Sequence, residues 1–129
     1  MTTQPSTEET LYDRLGGRTA VLAAVDLFYN KLLDDARVSH FFETIDMERQ
    51  RGKMYAFMTY AFGGAPNYSG LSMRKSHERL VKEEGLNDEH FNAVAEVLTK
   101  TLQEINVAQN LIDEVIALVE TTRDDVLNR

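Results

Sequence analysis

The chain has 129 residues, of which 43% are hydrophobic and 27% charged, a composition typical of an ordinary globular protein. Its net charge of −7 argues against nucleic-acid binding, which needs a basic surface, and the absence of cysteine excludes disulfides, thiolate chemistry and cysteine-ligated metals. No apolar run is long enough to span a membrane, so we expect one cytoplasmic domain over residues 9–129, after a short disordered leader at 1–8.

Apolar residues recur at helical spacing along the chain and nowhere alternate as they would in a strand. Glycine pairs at 16–17 and 63–64 are suited to end helices, whereas Asp46 and Asn87 can cap the starts of two others. A polar, acidic tail follows at 123–129. The pattern predicts an all-α fold with unequal helices rather than a uniform four-helix bundle. The predicted helices cover about 9–15, 19–33, 46–62, a stretch through His77 that ends at Gly85, 87–105 and 108–121.

The most informative position is His77, which shares an apolar helical stripe with Met73, Leu80 and Val81. An imidazole at this position can face a cavity and bind a ligand. It can also be a core histidine whose ring is hydrogen-bonded to a backbone carbonyl. The spacing is compatible with both interpretations.

Polar side chains also interrupt the apolar stripe of the preceding helix. Gln50 and Lys53 share this stripe with Met54, Phe57 and Ala61. A buried imidazole facing a buried amine and amide indicates a bound group between them, because lysine is almost never buried without a partner. The alternative is a lysine whose apolar stem lies along the protein while its amine reaches solvent.

A single histidine in a large apolar cavity is the requirement for haem, whose iron takes one proximal imidazole in oxygen-binding proteins. His90 is expected at the solvated surface and His40 in an apolar corner, and the histidines are not paired as in zinc sites. Most aromatic residues lie between 28 and 62, which suits either a planar apolar guest or an aromatic core. Tyr29 stands out because a buried phenol needs a hydrogen-bond partner.

A series of spaced motifs runs through the chain: LYDRLGG at 11–17, FY at 28–29, HFF at 40–42, YAFGG at 60–64, MR at 73–74 with His77, and LN at 86–87 with His90 and Phe91. Over about residues 11–128 the chain resembles the group 1 truncated haemoglobins of cyanobacteria and green algae. The resemblance implies a truncated globin fold, a two-over-two helical sandwich around one haem b. It also implies a minimal first helix and a loop in place of most of the helix before the proximal histidine.

The resemblance further implies roles for individual residues. His77 is similar to the proximal iron ligand, Tyr29 and Gln50 to the distal hydrogen-bonding pair, and Phe42 to the aromatic residue that stacks on the haem. The positions similar to those that control apolar access are Phe57 and Met58, and those similar to residues that meet the haem propionates are Arg49, Tyr60 and Arg74.

Two positions depart from the pattern of the family. Cyanobacterial members often carry a distal histidine where this chain has Lys53, so we expect Lys53 either to ligate the iron as a neutral amine or to pair with a propionate. They also often carry a histidine that bonds covalently to the haem where this chain has Thr122. We therefore expect the haem to be held without a covalent bond.

The function implied by the resemblance is binding of O2, NO and related small ligands, with oxidation of NO to nitrate as the expected activity. Such an enzyme needs a separate electron-donating reductase, because 129 residues hold no flavin or nicotinamide fold. We expect a monomer that contacts neither nucleic acid nor a membrane. The alternatives are a haem-based ligand sensor or electron carrier and, from another class, a cofactor-free helical interaction module, which the absorption spectrum after haem addition would distinguish.

Overall fold

The computed structural model describes residues 9–68 and 70–129, and the expected leader at 1–8 lies outside them. The described chain is helical and contains no strand, which confirms the all-α prediction. None of its helices is both long enough and apolar enough to cross a bilayer. A short 3₁₀ turn covers Ser39–Phe42. The α-helices are α1 (Leu11–Leu15), α2 (Arg18–Leu33), α3 (Met47–Ala61), α4 (Gly70–Glu84), α5 (Asp88–Glu104), α6 (Gln109–Glu120) and α7 (Arg123–Val126).

Side-chain caps and glycines explain where the first helices begin and end. The carboxylate of Asp46 accepts hydrogen bonds from the backbone N–H groups of Glu48 and Arg49, at 3.1 and 3.2 Å, and so starts α3. α1 ends at Gly16, whose φ of 114° lies in the left-handed region that favours glycine. The predicted cap at Asp46 and the predicted glycine stop are both confirmed.

Two side chains cap the start of α5. The side-chain oxygen of Asn87 accepts hydrogen bonds from the backbone N–H groups of Glu89 and His90, and the Asn87 backbone N–H donates to Nδ1 of His90 at 3.0 Å. This is a capping box in which histidine takes the place of glutamate or glutamine. The expectation that His90 is a solvated surface residue is wrong. It is half-buried, because its ring caps the helix and packs edge-on against Phe41, with 4.8 Å between ring centroids.

We expect His90→Ala to lower the free energy of unfolding by about 1 kcal/mol, because the Asn87 N–H loses its acceptor. Urea unfolding followed by circular dichroism measures the change. Gln103→Ala, at an exposed position of the same helix, is the control and should leave the unfolding midpoint almost unchanged. If both variants unfold at the same urea concentration, the capping bond contributes nothing to stability.

The hydrophobic core lies between two pairs of helices. α2 packs against α3 and α5, while α6 packs against α5 and α3. These contacts form the expected two-over-two sandwich. α2 contributes Phe28, Tyr29 and Leu32, each 1% exposed, and burial of such side chains is the main favourable contribution to folding.

α4 lies apart from this sandwich and packs mainly against the short helix α7. It begins at Gly70, about two turns before His77, so the expectation of a loop in place of most of this helix is wrong. The reason is that residues 70–84 contain no proline and no glycine after Gly70. The tail at 123–129 also differs from its prediction. It forms α7 and buries Val126 and Leu127, the two apolar residues that interrupt its polar sequence.

Candidate functional site

A cavity of about 300 Å³ separates α4 from the face of the sandwich formed by α2, α3 and α5. Its wall is mostly aromatic and aliphatic with a few polar groups, as in pockets that bind small molecules and cofactors. The apolar wall includes Phe28, Leu32, Phe41, Phe42, Met54, Phe57, Leu80, Phe91, Val94 and Leu98. The polar side chains that reach the cavity are Tyr29, Gln50, Lys53, Tyr68, Ser76, His77, Arg79, His90 and Thr122.

His77 lines this cavity, and its ring keeps one unprotonated nitrogen. Nδ1 lies 2.8 Å from the backbone carbonyl oxygen of Met73, and because a carbonyl only accepts, Nδ1 must donate. In the neutral ring Nε2 then keeps a free lone pair, which is the arrangement of a metal-binding histidine. The core-histidine interpretation predicted a hydrogen bond between the ring and a backbone carbonyl, and this bond is present. It uses only one ring nitrogen, however, and leaves the other available to a ligand.

The surroundings of His77 favour its neutral form. Burial lowers the pKa of the imidazole, and the positive charge of Lys53 adds to this, while the hydrogen bond with the Met73 carbonyl opposes it. A neutral ring is required for metal ligation, because a proton on Nε2 would occupy the same lone pair.

Opposite α4, Tyr29 and Gln50 form a hydrogen-bonded pair. The side-chain N–H of Gln50 donates to the phenol oxygen of Tyr29 at 3.0 Å. Burial raises the pKa of Tyr29 to about 12, so the phenol stays protonated at neutral pH. Because its oxygen accepts from Gln50, its own O–H can donate to an acceptor in the cavity. The rings of Phe28 and Phe42 meet the Tyr29 ring edge-on, with centroids 5.2 and 5.7 Å away, and hold it in place.

Lys53 lines the cavity one helical turn after Gln50, but it is exposed to solvent. Of the two interpretations that the sequence left open, this exposure excludes a buried amine and agrees with a lysine whose amine reaches solvent. The side chain is long enough for its stem to follow the cavity wall while the amine stays near the opening. Lys53 and His77 both line the cavity, and the positive charge of Lys53 contributes to lowering the pKa of the imidazole.

The other residues suggested by the resemblance are divided between the cavity and its surroundings. Phe42 and Phe57 line the cavity, whereas Met58 is 1% exposed within the hydrophobic core. Tyr60 lines a second cavity of about 130 Å³, which shares Phe57 and Thr122 with the first.

The two arginines suggested for propionate binding do not line the main cavity among the described residues. Arg49 is exposed at the start of α3. The guanidinium of Arg74 pairs with Asp125 at 3.3 Å and donates to the carbonyl oxygen of Arg129 at 3.2 Å.

Four polar side chains of the cavity wall are missing from the sequence prediction: Tyr68, Ser76, Arg79 and His90. Ser76 lies three residues after Met73 and Arg79 three residues after Ser76, so helical spacing alone places them beside the His77 stripe. The signal was present but is easy to pass over, since an apolar stripe is identified by its apolar members. His90 follows Asn87 by three residues, which is the spacing at which a capping box places the side chain that accepts from the N-cap backbone N–H.

The donor set fits a planar cofactor that carries its own metal. Among the described residues no group of three or more His, Asp or Glu side chains could hold a metal ion. One neutral imidazole facing an apolar cavity is instead the protein contribution that haem iron requires. Thr122, at the cavity wall, donates its hydroxyl hydrogen to the carbonyl of Val119 at 2.7 Å and offers no imidazole for a covalent bond.

Comparison with known proteins agrees with this geometry. Residues 10–128 match the bacterial-like globin family. The chain is 52% identical over 122 residues to the group 1 truncated haemoglobin GlbN of Synechocystis, covering 93% of this chain and 98% of that protein. It is 48% identical over 118 residues to the group 1 truncated haemoglobin LI410 of Chlamydomonas moewusii, covering 92% of this chain and 68% of that one.

Solved structures give the same result. The 2/2 haemoglobin of Synechococcus, in the cyanomet state and with covalently attached haem, superposes with a TM-score of 0.86 at 52% identity, covering 94% of this chain and all 100% of that one. THB1 of Chlamydomonas reinhardtii superposes with a TM-score of 0.81 at 45% identity, covering 95% of this chain and 98% of the other.

Proposed function

The chain belongs to the bacterial-like globin family as a group 1 truncated haemoglobin. We propose that it oxidises nitric oxide to nitrate. Membership of the family carries the coarser part of the function. The chain takes one haem and binds O2 and other small diatomic ligands. The activity, the electron donor and the roles of individual residues are the proposal.

Nε2 of His77 is the proposed ligand of the haem iron. Its support is the hydrogen bond from Nδ1 to Met73, which leaves Nε2 free on a residue that lines the cavity. Phe42 and Phe57 are proposed to contact the haem faces, because both line the same space. When bound, the haem supplies an iron centre that takes up diatomic ligands and exchanges single electrons with a reductase.

Propionate contacts were inferred for Arg49, Tyr60 and Arg74 from the resemblance. Arg79 is a further proposed partner, since it lines the main cavity, although its guanidinium pairs with Glu84 as that of Arg74 pairs with Asp125. We propose that the haem is held by such contacts and by His77 without a covalent bond, and that the protein acts as a monomer.

The observation that carries the proposed activity is the hydrogen bond from Gln50 to Tyr29. It makes the phenol oxygen an acceptor and leaves the O–H of Tyr29, a buried residue of the cavity wall, free to donate to a bound ligand. A fixed donor in a space shielded from water stabilises negative charge that develops on a ligand during reduction. The reaction combines NO, O2 and one electron to give nitrate, and the electron comes from a separate reductase.

We expect Tyr29→Phe to speed the release of O2 about tenfold or more, because a hydrogen bond to a charged acceptor contributes about 1.5–3 kcal/mol. Rapid mixing of the oxygenated protein with excess CO measures the rate. Tyr55→Phe is the control, because Tyr55 is also a tyrosine but lies on α3 beside Arg18, outside the cavity wall. An unchanged release rate in Tyr29→Phe would mean that its O–H donates elsewhere.

The activity is tested by rapid mixing of the oxygenated protein with one equivalent of NO. We expect one nitrate per haem and complete oxidation of the haem iron. With a reductant present, repeated additions of NO should be converted in turn. If the iron is oxidised without nitrate, or if O2 is simply displaced, the nitric oxide dioxygenase proposal is wrong.

A ligand sensor or electron carrier is the second candidate, and it rests on Lys53. Lys53 lines the same cavity as His77, and its amine would be able to ligate the iron when it is neutral. A site closed in this way suits a protein that responds to a ligand or passes electrons better than one that stores O2. A conformational change triggered by O2 or NO, without nitrate formation, would favour this function.

A further inference from the structure

The helix that carries His77 has an unusual connection to the rest of the fold. The main cavity lies between α4 and the sandwich, although Met73 of α4 belongs to the hydrophobic core and Leu80 packs against it. Within the described chain its extensive contact is with α7 alone. The position of α4 therefore depends on how α7 and the residues after it are held.

Residues 123–129, which we call the C-terminal clasp, contain α7 and contact α4 at Arg74. The side-chain N–H of Asn128 donates to the backbone carbonyl of Arg74 at 3.0 Å. The guanidinium of Arg74 pairs with Asp125 at 3.3 Å and also donates to the Arg129 carbonyl. Asn128 has a φ of 59°, and asparagine is among the few residues that adopt this left-handed conformation readily.

The other side of the clasp is fixed to α5. The Arg123 guanidinium pairs with Asp88 at 3.0 Å, donates to Asn92 at 2.6 Å and lies 4.3 Å above the ring of Phe91. Arg129 pairs with Asp88 at 2.8 Å. The clasp thus connects the start of α5 to the middle of α4, and Val126 on its inner side lines the cavity.

The contact with α4 is adjacent to the group that orients the imidazole. Arg74 directly follows Met73, whose carbonyl accepts the hydrogen bond from Nδ1 of His77. Holding the backbone at Arg74 therefore also holds the carbonyl at Met73. A shift of this turn would rotate the imidazole and move Nε2 relative to the cavity.

We propose that the C-terminal clasp positions α4 and, through the Met73 carbonyl, sets the orientation of the His77 ring toward the haem iron. Asp125 and Asn128 are positioning residues in this arrangement, since they act through Arg74 and Met73. The proposal rests on the proposed ligand role of His77. It also accounts for Arg74, which serves the clasp rather than a propionate.

The test uses the haem-loaded protein with cyanide bound, so that the sixth iron position is the same in every variant. The double variant Asp125→Asn, Asn128→Ala weakens the contact with α4. The matched control is Glu96→Gln, which removes a charge from the Arg37–Glu96 pair, at 3.2 Å, between α5 and the segment before the 3₁₀ turn. Circular dichroism confirms that each variant keeps its helices.

We expect two changes in the double variant and none in the control. The paramagnetically shifted NMR signals of the His77 ring should move, because they report the orientation of the ring at the iron. Haem transfer to an excess of an acceptor apoglobin should become about tenfold faster, which corresponds to about 1.4 kcal/mol. A clasp that only stabilises the fold would lower the melting temperature and leave the His77 signals in place.

The outcomes separate the two proposals. If the wild-type protein has shifted ring signals that disappear in His77→Gly with imidazole added, the ligand role stands. Unchanged signals and unchanged haem transfer in the double variant would then overturn the clasp alone. If the wild-type signals persist in His77→Gly, the ligand role fails, and the clasp has no iron bond to position.

Discussion

Replacing His77 with glycine should abolish stable haem binding and allow added imidazole to restore it. His77 and His90 both line the cavity, but their neutral rings carry the proton on different nitrogens. Nδ1 of His90 accepts the backbone N–H of Asn87, so the proton of its neutral ring is on Nε2 and no lone pair remains. His77 has the reverse arrangement, with its proton on Nδ1 and its lone pair on Nε2. Only His77 can therefore ligate iron without breaking a helix cap.

The haem absorption band after haem addition and gel filtration measures this prediction. His90→Gln is the control and should retain haem, because glutamine can also accept the capping hydrogen bond. His77→Gly should also lose the stabilisation that haem gives the fold, about 4 kcal/mol for a ligand at about 1,000 times its Kd. A His77→Gly protein with the wild-type spectrum and melting temperature would exclude His77 as the ligand.

The spectrum of the oxidised protein should change with pH through Lys53. Ligation requires the neutral amine, so protons and iron compete for one lone pair. We expect a six-coordinate low-spin spectrum at neutral to alkaline pH and conversion toward a high-spin form as the pH falls. Lys53→Ala should abolish this transition, keep the haem and let added ligands bind faster. The exposed position of Lys53 favours this reversible behaviour, since the amine can leave the iron for solvent without being buried unpaired.

A pH series of absorption spectra for the wild type and Lys53→Ala tests this prediction. Lys75→Ala is the control, since Lys75 is exposed on α4 outside the cavity wall. If Lys53 pairs with a propionate instead, Lys53→Ala should retain haem less firmly and show nearly the wild-type spectrum. Superimposable spectra at every pH would remove the lysine from the iron.

Local signals in the sequence predicted the helices and one side of the site well. Asp46 and Asn87 cap helices by interactions within a few residues, so their effect is readable without the fold. The stripe positions of Gln50 and His77 follow from helical periodicity, and both side chains line the cavity. The hydrogen bond between Tyr29 and Gln50 joins two helices, and only the resemblance to a family indicated that pair.

Features that depend on depth or on distant residues were not predictable in the same way. Periodicity gives the face of a helix but not how far a long side chain extends, so it left open whether Lys53 is buried or reaches solvent, and the structure has it exposed. Arg74 carried no local sign that it meets Asp125, which follows it by about fifty positions. The helix α7 depends on burial of Val126, and four residues have too little helical propensity to form a helix alone.

The hydrogen-bond acceptor of the His77 ring should affect the reduction potential of the iron that this ring ligates. Metal-binding histidines often donate to a carboxylate, which draws the ring toward imidazolate and stabilises an oxidised metal. Here the acceptor is the uncharged amide oxygen of Met73. A ring with this partner releases less electron density, so the attached iron should have a higher reduction potential than iron with a carboxylate-bound histidine. A weak electron donor would then reduce the protein more readily. The backbone acceptor at Met73 would therefore widen the range of reductases that can reduce the protein.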